Sequence, residues 1–120
     1  MGQTNELGLW GERMAAKYLM EQGYTFLAHS YRCRYGEIDL IMEQGKYLVF
    51  VEVKLRKTDR YGTPAEYVTA EKQQKLRRTA LTYLQENGCK KQPRFDVVEL
   101  YAPQGMKTSP VPVHHIENAF

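Results

Sequence analysis

The sequence predicts an α/β fold in which a mixed sheet is flanked by helices. Three observations lead to this class. Two segments carry apolar residues at helical spacing, three strand-like segments follow the first of them, and at least one more strand-like segment follows the second. The predicted order is a helix, a three-stranded antiparallel meander, a second helix and one or two further strands. Because the chain has 120 residues and no repeat or linker, we expect one domain over residues 1–120.

Two amphipathic helices are predicted. The first lies in TNELGLWGERMAAKYLMEQG and ends at Gly23, while Gly8 and Gly11 within it indicate either close backbone packing or a later start. The second runs from a cap near Thr69 to about Gln85. The residues of this second helix that we expect to face inward are Leu76, Ala80, Leu81 and Leu84.

Strands are predicted at residues 24–34 and 94–102, with a short strand in the terminal VHHIENAF. Between the two helices, GEIDLIMEQGKYLVFVEVK reads as two further strands that turn at Gly45-Lys46. The register set by this turn places Asp39 opposite Glu52. It also gives the hairpin one wholly apolar face, formed by Ile38, Leu40, Met42, Val49, Val51 and Val53.

The facing carboxylates of Asp39 and Glu52 need compensation, because like charges with Cβ atoms ~5 Å apart repel. A bridging proton, the nearby Lys54 or a divalent cation would each supply it. A Mg²⁺ ion held by one or two carboxylates keeps coordination sites for water and phosphate oxygens, as phosphodiester hydrolysis requires. Lys54 would then orient the attacking water or stabilise the negative charge of the transition state.

Composition excludes several classes of protein. No apolar run approaches the ~20 residues that span a bilayer, and the first residues lack the order of a signal peptide. Cys33 and Cys89 lack a C-x-x-C spacing and fit reduced thiols, so we expect a cytoplasmic protein with no membrane partner. The net charge is only +3, but the basic residues cluster, which fits either solvated faces or a phosphate-binding surface.

The segment from Asp39 to Glu52-Val53-Lys54 resembles the PD-(D/E)xK nuclease signature. The wider pattern of GERMAAKYL, GEIDLI, VFVEVK, YGTPAEYV, RFDVV and HIENAF resembles the YraN-like family of bacterial proteins over nearly the whole chain. That family is endonuclease-like and similar to archaeal Holliday-junction resolvases. The resemblance implies a restriction-endonuclease-like core and a Mg²⁺-dependent DNA endonuclease, with Mn²⁺ as an alternative ion, acting on branched or distorted DNA. Because resolvases act as two-fold dimers, it also allows a homodimer.

The resemblance assigns roles to individual residues. Asp39 and Glu52 would be metal ligands together with the Val53 main-chain carbonyl, Lys54 would be the catalytic lysine, and Glu12 would reach the same metal from the first helix. The basic residues that flank this site are candidate contacts to DNA phosphates: Arg32, Arg34, Arg56, Lys57 and Arg60. Weaker site candidates are Glu37, Lys72 and Gln73. The chain departs from the family at Ser30, where the family usually has Asn, and at Ile38, which stands in place of the signature proline.

Each of these roles has a simpler alternative. The three hairpin charges could form an ion-pair cluster at a sheet edge, Glu12 could be an exposed carboxylate favoured by the helix dipole, and Glu37 could pair with Lys54 or an arginine. For the whole chain, the alternative to an enzyme is a catalytically silent nuclease fold that binds nucleic acid or a protein partner. Cleavage distinguishes the two hypotheses.

Overall fold

A five-stranded sheet with a helix on each face is built by the described residues, 6–57 and 68–120, of a computed structural model. The predicted fold class, a mixed sheet flanked by helices, is confirmed. The helices are α1 (Glu6–Glu21) and α2 (Ala70–Glu86). The strands are β1 (Thr25–Cys33), β2 (Gly36–Gln44), β3 (Tyr47–Arg56), β4 (Gln92–Tyr101) and β5 (Val113–Ile116), and a short 3₁₀ helix spans Gly105–Lys107.

The strands lie in the order β1-β2-β3-β4-β5. β3 and β4 are parallel, and every other neighbouring pair is antiparallel. A parallel pair needs a crossover connection, and α2 lies in that crossover. The crossover therefore brings the first turn of α2 over the middle of the sheet.

Each helix covers one apolar core. The α1 core contains Ala15, Ala16, Leu19, Leu40, Met42, Val49 and Val51, and the α2 core contains Ile41, Leu48, Phe50, Leu76, Ala80, Phe95 and Val97. A Cβ on Gly11 would lie 3.2 Å from the Leu55 side chain, so glycine here permits the close approach of α1 to β3. The inward position predicted for Leu81 is wrong, because its side chain is 55% exposed.

The β2–β3 hairpin has the predicted turn and register. Gly45 has a φ of +56°, a conformation that glycine adopts without strain, and Gln44 pairs with Tyr47 across the turn. The pairing runs up the hairpin as far as Leu40 and Val51.

Beyond Leu40 and Val51 the two strands no longer pair with each other. β2 continues alongside β1 as far as Gly36, and β3 continues alongside β4 as far as Arg56. The sequence predicted that Asp39 and Glu52 form a backbone pair, but they lie just past the last β2–β3 pair. Ile38 also departs from the predicted apolar face, since it lies in the α2 core, where pairing with β3 no longer fixes its side. The sheet forks at the charged residues.

Two observations in the structure concern the predictions made from composition. Cys33 and Cys89 are both free and half-buried. Among the described residues, no helix has the length and apolar character needed to cross a bilayer.

Candidate active site

Asp39 and Glu52 occupy the fork between β2 and β3. The Asp39 Oδ2 atom accepts a hydrogen bond of 2.8 Å from the main-chain N–H of Val53. A main-chain N–H inside a sheet requires an acceptor. Because β2 no longer pairs with β3 at Val53, the Asp39 side chain supplies that acceptor. The fold therefore holds the Asp39 carboxylate beside Glu52.

The pKa of Asp39 is raised by its burial and by the neighbouring carboxylates. Burial, followed by the charge of Glu52, raises the pKa of Asp39 from an ordinary 3.8 to about 7. The carboxylates of Glu12 and Glu37 raise it further, by smaller amounts, against the opposing hydrogen bond from Val53. The fork thus concentrates negative charge in a half-buried position, where a cation or a proton is favoured.

Two lysines neutralise Glu52, whose residue is only 8% exposed. The Lys72 Nζ atom lies 2.5 Å from Glu52 Oε2, and Lys54 Nζ lies 3.3 Å from the same oxygen. Lys72 lies in the first turn of α2, and its main-chain N–H donates to the Thr69 side chain. Thr69 is therefore the N-cap of α2, as predicted from the sequence. Although burial opposes the charged form, the hydrogen bond and charge of Glu52 hold the pKa of Lys72 above its usual value.

Glu12 is buried on α1, on the other side of the sheet from Lys72. The Ser30 hydroxyl donates to Glu12 Oε1 at 3.0 Å, and His29 Nδ1 lies 3.7 Å from the same oxygen. Burial raises the pKa of Glu12, although the bond from Ser30 opposes the rise. Glu12 is therefore not the exposed helix carboxylate of the simpler alternative. It is also close enough to raise the pKa of Asp39.

Ser30 has a φ of +51°, in the left-handed region. Asparagine tolerates this region better than most residues do, because its short polar side chain bonds locally. The resemblance noted above has Asn at this position. An asparagine, which the resemblance implies here, would suit this backbone conformation, and Ser30 supplies a hydroxyl that donates to Glu12.

The weaker candidates divide. Lys72 joins the site through Glu52, whereas Gln73 donates to the main-chain oxygen of Val68 at 3.1 Å. Glu37 pairs with Arg32 at 3.4 Å, the alternative noted from the sequence, and still raises the pKa of Asp39. The main-chain N–H of Val53 contacts the site by donating to Asp39. A metal-ligand role for the Val53 carbonyl stays a prediction.

The predicted phosphate-binding residues also differ among themselves. Arg32, Arg34 and Lys57 are exposed near the fork end of the sheet. Arg56 instead lies 3.2 Å from Glu99, which has no exposed surface. Arg60 falls outside the described residues.

Sequence reasoning missed a second set of buried charges on β4. Arg94 and Asp96 form a two-bond pair of 3.0 and 2.9 Å, and His115 Nε2 lies 2.8 Å from Asp96 Oδ2. Although burial alone would raise it, the bonds from His115 and Arg94 hold the pKa of Asp96 below its usual range. The signal was present in RFDVVEL, where charged residues interrupt an apolar strand as they do in the hairpin.

Comparison with known proteins places the chain in a family. Residues 11–100 match the profile described as "Uncharacterised protein family UPF0102". The chain belongs to the UPF0102 family. UPF0102 proteins similar to it include one from Syntrophomonas wolfei, 43% identical over 98% of this chain and 99% of its own length. Another, from Symbiobacterium thermophilum, is 51% identical over 81% of this chain and 83% of its own length. The match to UPF0102 covers α1 from Gly11 onward, the fork and α2.

Proposed function

We propose that this UPF0102 protein is a Mg²⁺-dependent endonuclease that hydrolyses phosphodiester bonds in DNA. The observation that supports it most is the pair of carboxylates at the fork, Asp39 and Glu52, close enough that the second raises the pKa of the first. Folding a chain around two like charges costs free energy. A divalent cation bound between the two carboxylates would offset that cost.

The chemistry of these residues fits Mg²⁺. Within the described ranges, no group of three or more His, Cys, Asp and Glu side chains could hold a metal ion. Mg²⁺ does not need one, because it is usually held by one or two carboxylates and completes its shell with water and substrate phosphate oxygens. Asp39 and Glu52 would hold the ion. When bound, the ion would polarise a phosphate oxygen and lower the pKa of a water molecule.

The two lysines supply the positive charge that phosphodiester hydrolysis requires. The Lys54 side chain is 30% exposed and that of Lys72 is 39% exposed, and the Nζ atoms of both lie beside Glu52 Oε2. Lys54 lies two residues beyond Glu52 on the same face of β3. We assign to Lys54 the orientation of the attacking water and the stabilisation of charge on the phosphate. Lys72 holds Glu52 from α2.

The basic surface around the fork supports DNA as the substrate. Arg32, Arg34 and Lys57 are exposed and positively charged, and such residues bind DNA through its phosphates without reading sequence. The resolvase resemblance favours branched or distorted DNA.

Cleavage of a labelled four-way junction and of a matched duplex, with Mg²⁺ or Mn²⁺, tests the proposal. Lys54→Ala should abolish cleavage. Lys91→Ala is the matched control, because Lys91 has a similar exposure of 37% and pairs with Glu43 at 3.0 Å, near the hairpin turn. The control should cleave like the wild type.

Calorimetry with Mg²⁺ separates the ligands from the lysine. Lys54→Ala should still bind Mg²⁺, because an ammonium group cannot be a ligand, whereas Asp39→Ala should lose Mg²⁺ binding and cleavage together. If the wild type binds DNA but is as inert as Lys54→Ala, the chain is a binding module, and the proposal fails.

A further inference from the structure

A cavity of about 150 Å³ lies between α1 and the outer strands of the sheet, beside the candidate active site. Leu9 and Ala16 of α1 and Leu40 of β2 form its apolar lining. Glu12 forms one wall, and Glu12 also acts on the pKa of Asp39. The cavity and the proposed reaction centre therefore share Glu12 as a neighbour.

The mouth of the cavity is aromatic and basic. Phe26 and His29 of β1 stack with ring centroids 6.3 Å apart and planes at 29°. Both are open to solvent, since Phe26 is 39% exposed and the His29 side chain is 56% exposed. The exposed Arg13 completes this rim. An exposed phenylalanine costs free energy of hydration, so a ligand that covers it is favoured.

We propose that this cavity binds one unstacked nucleobase of the DNA substrate, next to the phosphate that is cut. The inference rests on the proposed function and specifies its substrate class: DNA with unpaired nucleotides at the cleavage point. A base inside a regular duplex is stacked on its neighbours and cannot enter a pocket. Gaps, bulges and branch points offer such a base at little cost.

Size and chemistry favour a base over other ligands. An apolar cavity of this volume is large enough to take a single aromatic ring such as benzene, which suits a pyrimidine better than a two-ring purine. Apolar side chains and Phe26 provide surfaces for the faces of the ring, and stacking of this kind tolerates many base sequences. The carboxylate of Glu12 can accept from an N–H on the base edge, while Arg13 is placed for an adjoining phosphate.

Fluorescence anisotropy in EDTA, which prevents Mg²⁺-dependent cleavage, tests this proposal. The probes are a short duplex with a gap of two thymidines and the same duplex with abasic nucleotides in the gap. Both carry the same phosphates, so the difference in Kd reports the bases alone. Stacking of one base is worth ~1–3 kcal/mol, so the thymidine gap should bind about 5-fold to 150-fold more tightly.

Two variants should remove this preference. Phe26→Ala deletes an aromatic side chain at the mouth, and Leu9→Trp fills the cavity. The matched control is Leu27→Ala, because Leu27 is the next residue, is 40% exposed and lies outside the cavity lining. Thermal melts of each variant would test whether it is folded. The control should keep the wild-type ratio of the two Kd values.

Each outcome has a meaning. If the wild type binds both probes equally, the nucleobase pocket is wrong even where cleavage occurs. If the preference is present and depends on Phe26 but no phosphodiester bond is cut, the pocket stands and the endonuclease proposal fails. If neither probe binds, both proposals fail. If Phe26→Ala changes the oligomeric state and leaves the ratio of Kd values unchanged, the cavity belongs to self-association and the pocket is wrong.

Discussion

The carboxylate of Asp39 on β2 accepts a 2.8 Å hydrogen bond from the main-chain N–H of Val53 on β3. This bond joins the two strands just beyond the last main-chain pair between them, Leu40 and Val51. It fixes the Asp39 carboxylate next to Glu52. Such preorganisation is what a binding site for a divalent ion requires.

Replacement of Asp39 by Asn should stabilise the metal-free protein. Asparagine keeps an acceptor for the Val53 N–H and removes one of the two repelling charges, so we expect a gain on the order of 1 kcal/mol and a rise in Tm of roughly 4 °C. Mg²⁺ should raise the Tm of the wild type and scarcely affect the variant, because a ligand that binds only the folded state stabilises it. Thermal melts in EDTA and in Mg²⁺ measure both effects.

Glu37→Gln is the matched control for this comparison. Glu37 is another half-buried carboxylate of β2, but it pairs with Arg32. Its neutralisation should leave the response to Mg²⁺ intact. A destabilised Asp39→Asn protein, together with a wild type indifferent to Mg²⁺, would favour the ion-pair cluster over the metal site.

The stability of the metal-free protein should fall as the pH rises from about 4 to about 7. The pKa of Asp39 is about 7 in the folded state and near 3.8 when unfolded, so between these values the folded state holds a proton that the unfolded state has lost. Stability from this group is therefore complete at low pH and is lost as the pH rises. Urea unfolding in EDTA at several pH values gives the slope.

The difference between wild type and Asp39→Asn isolates this effect from other titrating groups. Asp39→Asn should lack the slope that Asp39 contributes, and saturating Mg²⁺ should reduce it in the wild type. Parallel pH curves for the two proteins in EDTA would show that Asp39 ionises normally.

Binding to DNA should weaken steeply with added salt, because it depends on phosphate neutralisation. Arg34→Ala and Lys57→Ala should each reduce the slope of log K against log salt by about 1 and leave stability unchanged. Arg56→Ala should act differently, since it removes a partner from the fully buried Glu99, and we expect a loss of stability on the order of 3 kcal/mol. Anisotropy titrations at several salt concentrations, combined with urea unfolding, distinguish these roles. Salt-independent affinity would contradict this prediction.

Ser30→Asn should stabilise the protein by a few tenths to about 1 kcal/mol, because Asn adopts the observed φ of +51° more readily. Ser30→Gly relieves the same strain but removes the hydroxyl that donates to Glu12. Asn also lacks the hydroxyl but has an N–H donor for Glu12, whereas Gly has none, so the difference between the two variants reports the hydrogen bond. If Asn is no better than Ser in urea unfolding, the conformation at this position does not explain the residue.

The hairpin register was predictable because local chemistry sets it. A glycine in the turn and alternation of apolar residues allow only one pairing that buries one face. The point where β2 and β3 separate was not predictable, because it depends on β4 as the second partner of β3 and on a side chain that replaces a strand. Local patterns contain neither fact.

The cations of the site show the same limit. Lys54 follows from the motif, since it lies two residues from Glu52 on one strand. Lys72 was only a weak candidate, because its contact with Glu52 depends on where the crossover helix settles on the sheet. Leu81 failed for a different reason: it follows the buried Ala80 directly, about 100° further round α2, and its side chain is 55% exposed.

The parallel pairing of β3 with β4 also bears on how the molecule folds. Tyr47 pairs with Gln92, about 45 residues away in sequence, whereas β1, β2 and β3 are joined by short turns. Local contacts form early and distant ones late, so we expect the meander to form first. Asp39 and Glu52 would then meet before α2 delivers Lys72. Kinetic φ-values near one for Met42→Ala and near zero for Leu100→Ala would bear this out, and the reverse order would contradict it. The chain would bring its carboxylates together with Lys54 alone beside them and add Lys72 last, which makes a dissolved cation a candidate aid to folding as well as to the proposed catalysis.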